Sequence, residues 1–165
     1  STVDDECANE LKSSLGIHLH VRSSLSGRQS TPIEKSVLEV LQYANNAQTL
    51  TIASLCYPLI KEHSIRSCKE SIWAFGADRS MTVLRRQRNT FRLKTEGLEP
   101  MTFVKSLKDE REIVFEEAGG VHTILTSSFV EHSSLYTGKA TPIEISDYEA
   151  IRTDTELFGL VTGSV

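Results

Sequence analysis

The sequence predicts an α+β fold: an antiparallel β-sheet packed against two main α-helices, with a short C-terminal helix and strand. Three observations lead there. Thr31-Pro32-Ile33-Glu34 opens a segment with helical apolar spacing, Leu15 to Val21 alternates apolar and polar residues, and Glu112 to Val130 holds two apolar runs joined through Ala118-Gly119-Gly120. The 165 residues suit one domain. Residues 1–14 read as a mobile polar lead-in and 15–165 as the globular unit.

In chain order, Ala8 to Leu11 reads as a short helical turn within the acidic lead-in. Leu15, Ile17, Leu19 and Val21 then form one face of a half-buried strand, with His18 and His20 on the other. Ser23 to Ser30 is a loop. At Thr31 a capping box begins, with threonine as cap, proline in the first turn and Glu34 able to bond back. The helix that follows carries Ile33, Val37, Val40, Leu41 and Ala44 on one stripe and stops at Asn45-Asn46. Thr49 to Tyr57 reads as extended because Pro58 would break a helix there. A second helix starts at Pro58 and carries Leu59, Ile60 and His63, while Ser67 to Phe75 has no clear period and Gly76-Ala77-Asp78 breaks it.

Arg79 to Lys94 is basic, is interrupted by Met81-Thr82-Val83-Leu84, and ends in an alternating strand from Thr90 to Thr95. A turn at Glu96 to Pro100, a strand at Met101 to Leu107 and a charged turn at Lys108 to Arg111 lead to the hairpin, whose paired glycines supply the positive φ of a tight reversal. His132 to Lys139 is polar loop. A second Thr-Pro-Ile-Glu, at 141–144, predicts a short helix through Ile151, and Leu157 to Val161 a final strand.

Apolar residues make up 39% of the chain and charged residues 24%, an ordinary balance, and no apolar run approaches the ~20 residues that span a bilayer. Neither a transmembrane helix nor a signal peptide is expected, and the start at Ser-Thr-Val reads as a fragment or processed form. Cys7, Cys56 and Cys68 show no metal-ligand spacing and read as free thiols. The net charge is −4, yet Arg79, Arg85, Arg86, Arg88, Arg92 and Lys94 are six basic residues in a stretch without an acid, which leaves −10 on the rest. Such a basic segment suits an anionic surface, nucleic acid or lipid, and Met81, Val83 and Leu84 would be an apolar contact within it. With Phe91 the one aromatic there, base stacking is not supported.

His18-Leu19-His20 places two imidazoles on one strand face, where they could bind a divalent metal. With Tyr57 as nucleophile and Lys61 nearby, that pattern is similar to rolling-circle nicking endonucleases, which act on single-stranded nucleic acid. No acidic third ligand is evident and Pro58 follows the tyrosine, so a solvent-facing strand edge is the preferred reading and no metal or cofactor is expected. There is no GxSxG elbow, P-loop or dinucleotide pattern, and no enzymatic activity is expected.

Taken in order, an alternating strand into Val21-Arg22-Ser23, the capped helix from Thr31, the Pro58-led helix, strands around Gly119-Gly120, and then Ile145-Ser146-Asp147-Tyr148 and Leu157-Phe158-Gly159-Leu160-Val161 resemble rhabdovirus matrix proteins across residues 15 to 161. The resemblance implies a non-enzymatic structural protein that self-associates, condenses the viral nucleocapsid and binds anionic membrane peripherally, with host factors as further partners. It places the protein in the virion, the host cytoplasm and the inner face of the host membrane, and puts Met81 to Leu84 at the loop that contacts membrane or subunits. The basic, proline-rich N-terminus common in that family is not present here.

Overall fold

A computed structural model describes residues 20, 22, 30–44, 46–101, 104, 105 and 107–163. The 1–14 lead-in, and the 15–21 strand apart from His20, lie outside them. The described residues form six strands, β1 (Thr49–Ala53), β2 (Arg79–Arg86), β3 (Phe91–Lys94), β4 (Gly97–Pro100), β5 (Val114–Leu125) and β6 (Ala140–Glu144). Four helices accompany them, α1 (Ile33–Leu41), α2 (Glu62–Phe75), α3 (Thr126–His132) and α4 (Glu156–Thr162). The main sheet runs β1-β5-β2-β6, and β3 with β4 makes a separate two-stranded ribbon. The α+β class is as expected. The sheet is mixed rather than wholly antiparallel, because β6 lies parallel to β2.

α1 forms where expected, but only part of its stripe faces the core: Val37 is buried and Leu41 packs on the core, whereas Ile33 and Val40 are exposed, Pro32 is the cap residue and the helix stops at Leu41 before Ala44. β1 also forms as expected. The second helix does not start at Pro58: residues 55–60 are turns, and α2 runs from Glu62 to Phe75, where Gly76, with φ of +54°, caps it. Its buried positions are Ser64, Cys68, Ser71 and Ile72, a helical stripe made mostly of small polar residues.

The predicted hairpin is instead one strand. β5 passes straight through Gly119-Gly120, and its register with β2 shifts between Met81↔His122 and Val83↔Glu117, so Thr82 alone faces residues 118–121. This is a β-bulge, which leaves backbone groups without ladder partners. Thr82 compensates: its buried hydroxyl accepts from the Val121 amide at 2.9 Å. Gly119 takes φ +73° there, and a Cβ on Gly119 or Gly120 would stand 2.6 Å from the Tyr57 hydroxyl or Ile60 Cδ1. Thr82→Val keeps the shape but strands that buried amide, so urea unfolding should show a loss of about 1–3 kcal/mol. A loss below about 0.5 kcal/mol would contradict this account.

Three further expectations are corrected. The second Thr-Pro-Ile-Glu is strand β6, not a helix start; an edge position tolerates Pro142, and pairing with β2 decides the conformation. Leu157 to Val161 lies in helix α4 rather than a strand, and Gly97–Pro100, expected within a turn, is strand β4, paired with β3; the strand expected at Met101 to Leu107 lies partly outside the described residues.

Helices cover both sheet faces. On one, Val37 of α1 and Phe129 of α3 pack with Ile124, Leu135, Leu50 and Ile52. On the other lies α2, where Ser80 Oγ donates to the Cys68 carbonyl, and beyond the bulge Leu84, Ala118 and Ile145 pack with Ile60. Cys56 and Cys68 are free thiols, and burial pushes the Cys68 thiol up to about 11 despite the Ser80 hydroxyl. No helix among the described residues is long and apolar enough to cross a membrane.

Candidate functional site

The basic segment splits into four environments. Arg79, at the start of β2, lies 5.6 Å from the Tyr136 ring centre. Arg86, at its end, is held by Glu116 at 2.9 Å and Asp147 at 2.7 Å, and the Asp147 and Glu116 hydrogen bonds raise its pKa. Seven steps of strand separate the two by about 23 Å, so they do not share a patch. Arg92 and Lys94 both pair with Glu99, at 2.6 and 2.7 Å, and Lys94 and Arg92 hold that carboxyl below its ordinary range. Arg85 and Arg88 are exposed.

Met81, Val83 and Leu84 are not an exposed loop. They lie in β2, an inner strand between β5 and β6, with Val83 and Leu84 buried and Met81 partly so. An apolar run flanked by arginines reads equally as an inserting tip or as a strand buried on both faces.

The exposed apolar surface lies further on, in the excursion from residue 87 to residue 113 that leaves β2 and returns to β5. Arg86 pairs with Val114 at its base, and the Gln87 and Asn89 side-chain amides donate to the Arg111 and Lys105 carbonyls. At its tip the ribbon pairs Phe91 with Pro100 and Leu93 with Leu98, all on one face, and Arg92 with Glu99 and Lys94 with Gly97 on the other. Leu93 and Leu98 are 80% and 70% exposed. Met101 follows, also exposed. From Arg85 to Arg111 there are eight basic side chains and four acidic ones. This part of the molecule is therefore positive, in a chain whose net charge is negative.

The bulge also builds a mainly apolar cleft of about 190 Å³ with a few polar groups, lined by Ile33, Ile52, Ser54, Glu117, His122 and Tyr136 among others. His122 Nε2 lies 2.9 Å from Glu117 Oε1, and the Tyr136 hydroxyl donates to the same carboxylate at 3.0 and 3.1 Å. Burial, with the hydrogen bond to Glu117, raises the Tyr136 pKa, so the phenol stays a donor at neutral pH. Ser54 Oγ accepts from the Cys56 amide at 3.3 Å. The cleft can orient an imidazole and accept a donor group. Sequence reading missed it because residues five apart on a regular strand lie on opposite faces, and the bulge alone puts Glu117 and His122 on the same one.

The nicking-enzyme residues have separate partners. His18 lies outside the described residues; His20 bonds Glu39 at 3.0 Å and packs on Tyr43. Tyr57 lies against Gly119, with Arg152 over its ring at 5.9 Å, and Lys61 Nζ is 4.0 Å from Glu149. No group of three His, Cys, Asp or Glu among the described residues could hold a metal.

Compared with known proteins, the chain matches no family model and no curated sequence. Its residues and their placement carry the functional reading.

Proposed function

We propose that this protein is a structural matrix protein of rhabdovirus type. It binds the anionic inner face of the membrane peripherally, self-associates and condenses the viral nucleocapsid, and so belongs to the virion and the host membrane's inner face. The observation that carries this reading is the β3–β4 ribbon, which holds Phe91, Leu93, Leu98 and Pro100 bare on one face within a positive excursion. A two-stranded ribbon is marginal alone in water, and a lipid interface supplies the cover its apolar face lacks. Burying each leucine contributes about 1.5–3 kcal/mol, and each basic group near an anionic surface about 1 kcal/mol. Of the basic residues, Arg85 and Arg88 are exposed for that attraction, and the Arg92 and Lys94 pairs with Glu99 stiffen the ribbon. The turn at Ile145-Ser146-Asp147-Tyr148 supports the base of the excursion through the Asp147–Arg86 pair.

Flotation with phosphatidylserine-containing and neutral vesicles tests the reading. Wild type should float with the anionic vesicles and lose binding as salt rises. Leu93→Asp/Leu98→Asp should bind at least about tenfold more weakly, since that ratio corresponds to 1.4 kcal/mol. Arg85→Glu/Arg88→Glu should flatten the salt dependence. Equal flotation of all three proteins would overturn the proposal.

A further inference from the structure

Among the described residues β1 is an edge strand of the sheet, and its own sequence, unlike that of the opposite edge, carries no device against further pairing. β6 has Pro142 and Glu144, devices that discourage further pairing. β1 reads Thr-Leu-Thr-Ile-Ala, without charge, proline or bulge. Two hydrogen bonds bracket it, Thr126 amide to Gln48 carbonyl and Ser54 amide to Gly120 carbonyl, each at 3.0 Å. The alternation between them turns Leu50 and Ile52 towards β5 and leaves the amides and carbonyls of Thr49, Thr51 and Ala53 pointing outward. None of those outward groups has a partner among the described residues.

The segment that carries β1 is uncharged too. Between Glu39 and Lys61 no residue is charged, in a chain that is 24% charged, and this stretch includes Leu55, 92% exposed. We infer that the β1 edge pairs with the β1 edge of a second copy, antiparallel about a two-fold axis at Thr51, joining two four-stranded sheets into one. In that register Thr51 faces its own counterpart, Thr49 faces Ala53 and Leu55 reaches the partner's Ala47, so no like charges meet. Each of the three outward-facing pairs exchanges two backbone hydrogen bonds. The inference rests on the self-associating part of the proposed function and assigns it a contact remote in sequence from the ribbon.

Cysteine cross-linking in a Cys7→Ser/Cys56→Ser background, with sedimentation, tests it. Directly paired Thr51 positions lie about 5.5 Å apart between Cα atoms, within disulfide reach, whereas Thr49 is four residues out of register with its own counterpart. Thr51→Cys should form a covalent dimer under mild oxidation and Thr49→Cys should not. Ala53→Pro removes an outward amide that bonds nothing, so it should keep the wild-type melting curve and vesicle flotation but sediment as a monomer. A wild type that remains monomeric at high concentration would overturn the inference. So would a dimer that survives Ala53→Pro without Thr51→Cys cross-linking, an outcome that leaves self-association standing. Leu93→Asp/Leu98→Asp should still dimerise, which separates failure of this contact from failure of the membrane reading.

Discussion

Gly119→Val should destabilise the fold by about 3 kcal/mol, through two separate penalties at one position. The φ of +73° is one that β-branched residues strongly avoid, and the new Cβ would stand 2.6 Å from the Tyr57 hydroxyl oxygen and 3.1 Å from the ring carbon bearing it. Tyr57 has little freedom to move, because Arg152 lies over its ring and its backbone sits in the turn that leads to α2. The two penalties are separable. Gly119→Ala/Tyr57→Phe should recover the steric part relative to Gly119→Ala alone and leave the backbone part. Gly76→Ala provides a reference, since φ is +54° there and nothing lies within 4 Å, so only the backbone penalty of about 1 kcal/mol applies. Denaturant midpoints of these variants check the account. If Gly119→Val matched Gly76→Ala, close packing at the bulge would be wrong.

Glu149→Ala should cost about 3 kcal/mol, because one buried carboxylate organises the start of α2. Glu149 is 3% exposed, and its oxygens accept from Ser64 Oγ at 2.6 Å, Ser146 Oγ at 3.1 Å, and the Lys61 and Ser146 amides at 3.3 Å. Removing it leaves those donors unpartnered beneath the Ile145–Ala150 turn. Burial by itself raises the Glu149 pKa, but the hydrogen bonds from Ser64, Ser146 and Lys61 outweigh it, and the folded-state value is lowered. A lowered carboxylate pKa stabilises the fold fully above the ordinary glutamate range, and that stability is lost as pH falls through the folded value. Wild type should therefore lose stability on acidification by more than Glu149→Gln does. Parallel pH curves for the two proteins would show that the carboxylate charge is not what the site holds.

Local rules were sufficient to place three elements. α1 follows an apolar stripe, β1 follows from the exclusion imposed by Pro58, and β3 from simple alternation. They failed where tertiary pairing decided. Thr-Pro-Ile-Glu begins a helix at 31–34 and forms a strand at 141–144, because only the second copy has β2 beside it. α2 was obscured by serines at positions that apolar counting treats as surface. Gly119-Gly120 read as a turn because the evidence for close approach, Tyr57 and Ile60, lies about sixty residues away in sequence. At the candidate site the excess of positive charge was legible from composition alone. The location of the bare apolar surface was not, since Met81 to Leu84 is the more apolar run and yet is buried between β5 and β6, whereas Leu93 and Leu98 stand exposed on a ribbon outside the main sheet.

The excursion leaves the sheet after Arg86 and re-enters at Val114, and those two residues are paired neighbours. Its ends therefore meet whatever lies between them, and closing entropy rises by only about 0.6 kcal/mol for each doubling of loop length. The segment is exchangeable cargo on a self-sufficient frame. Its length and composition can change while the strands beneath keep their register.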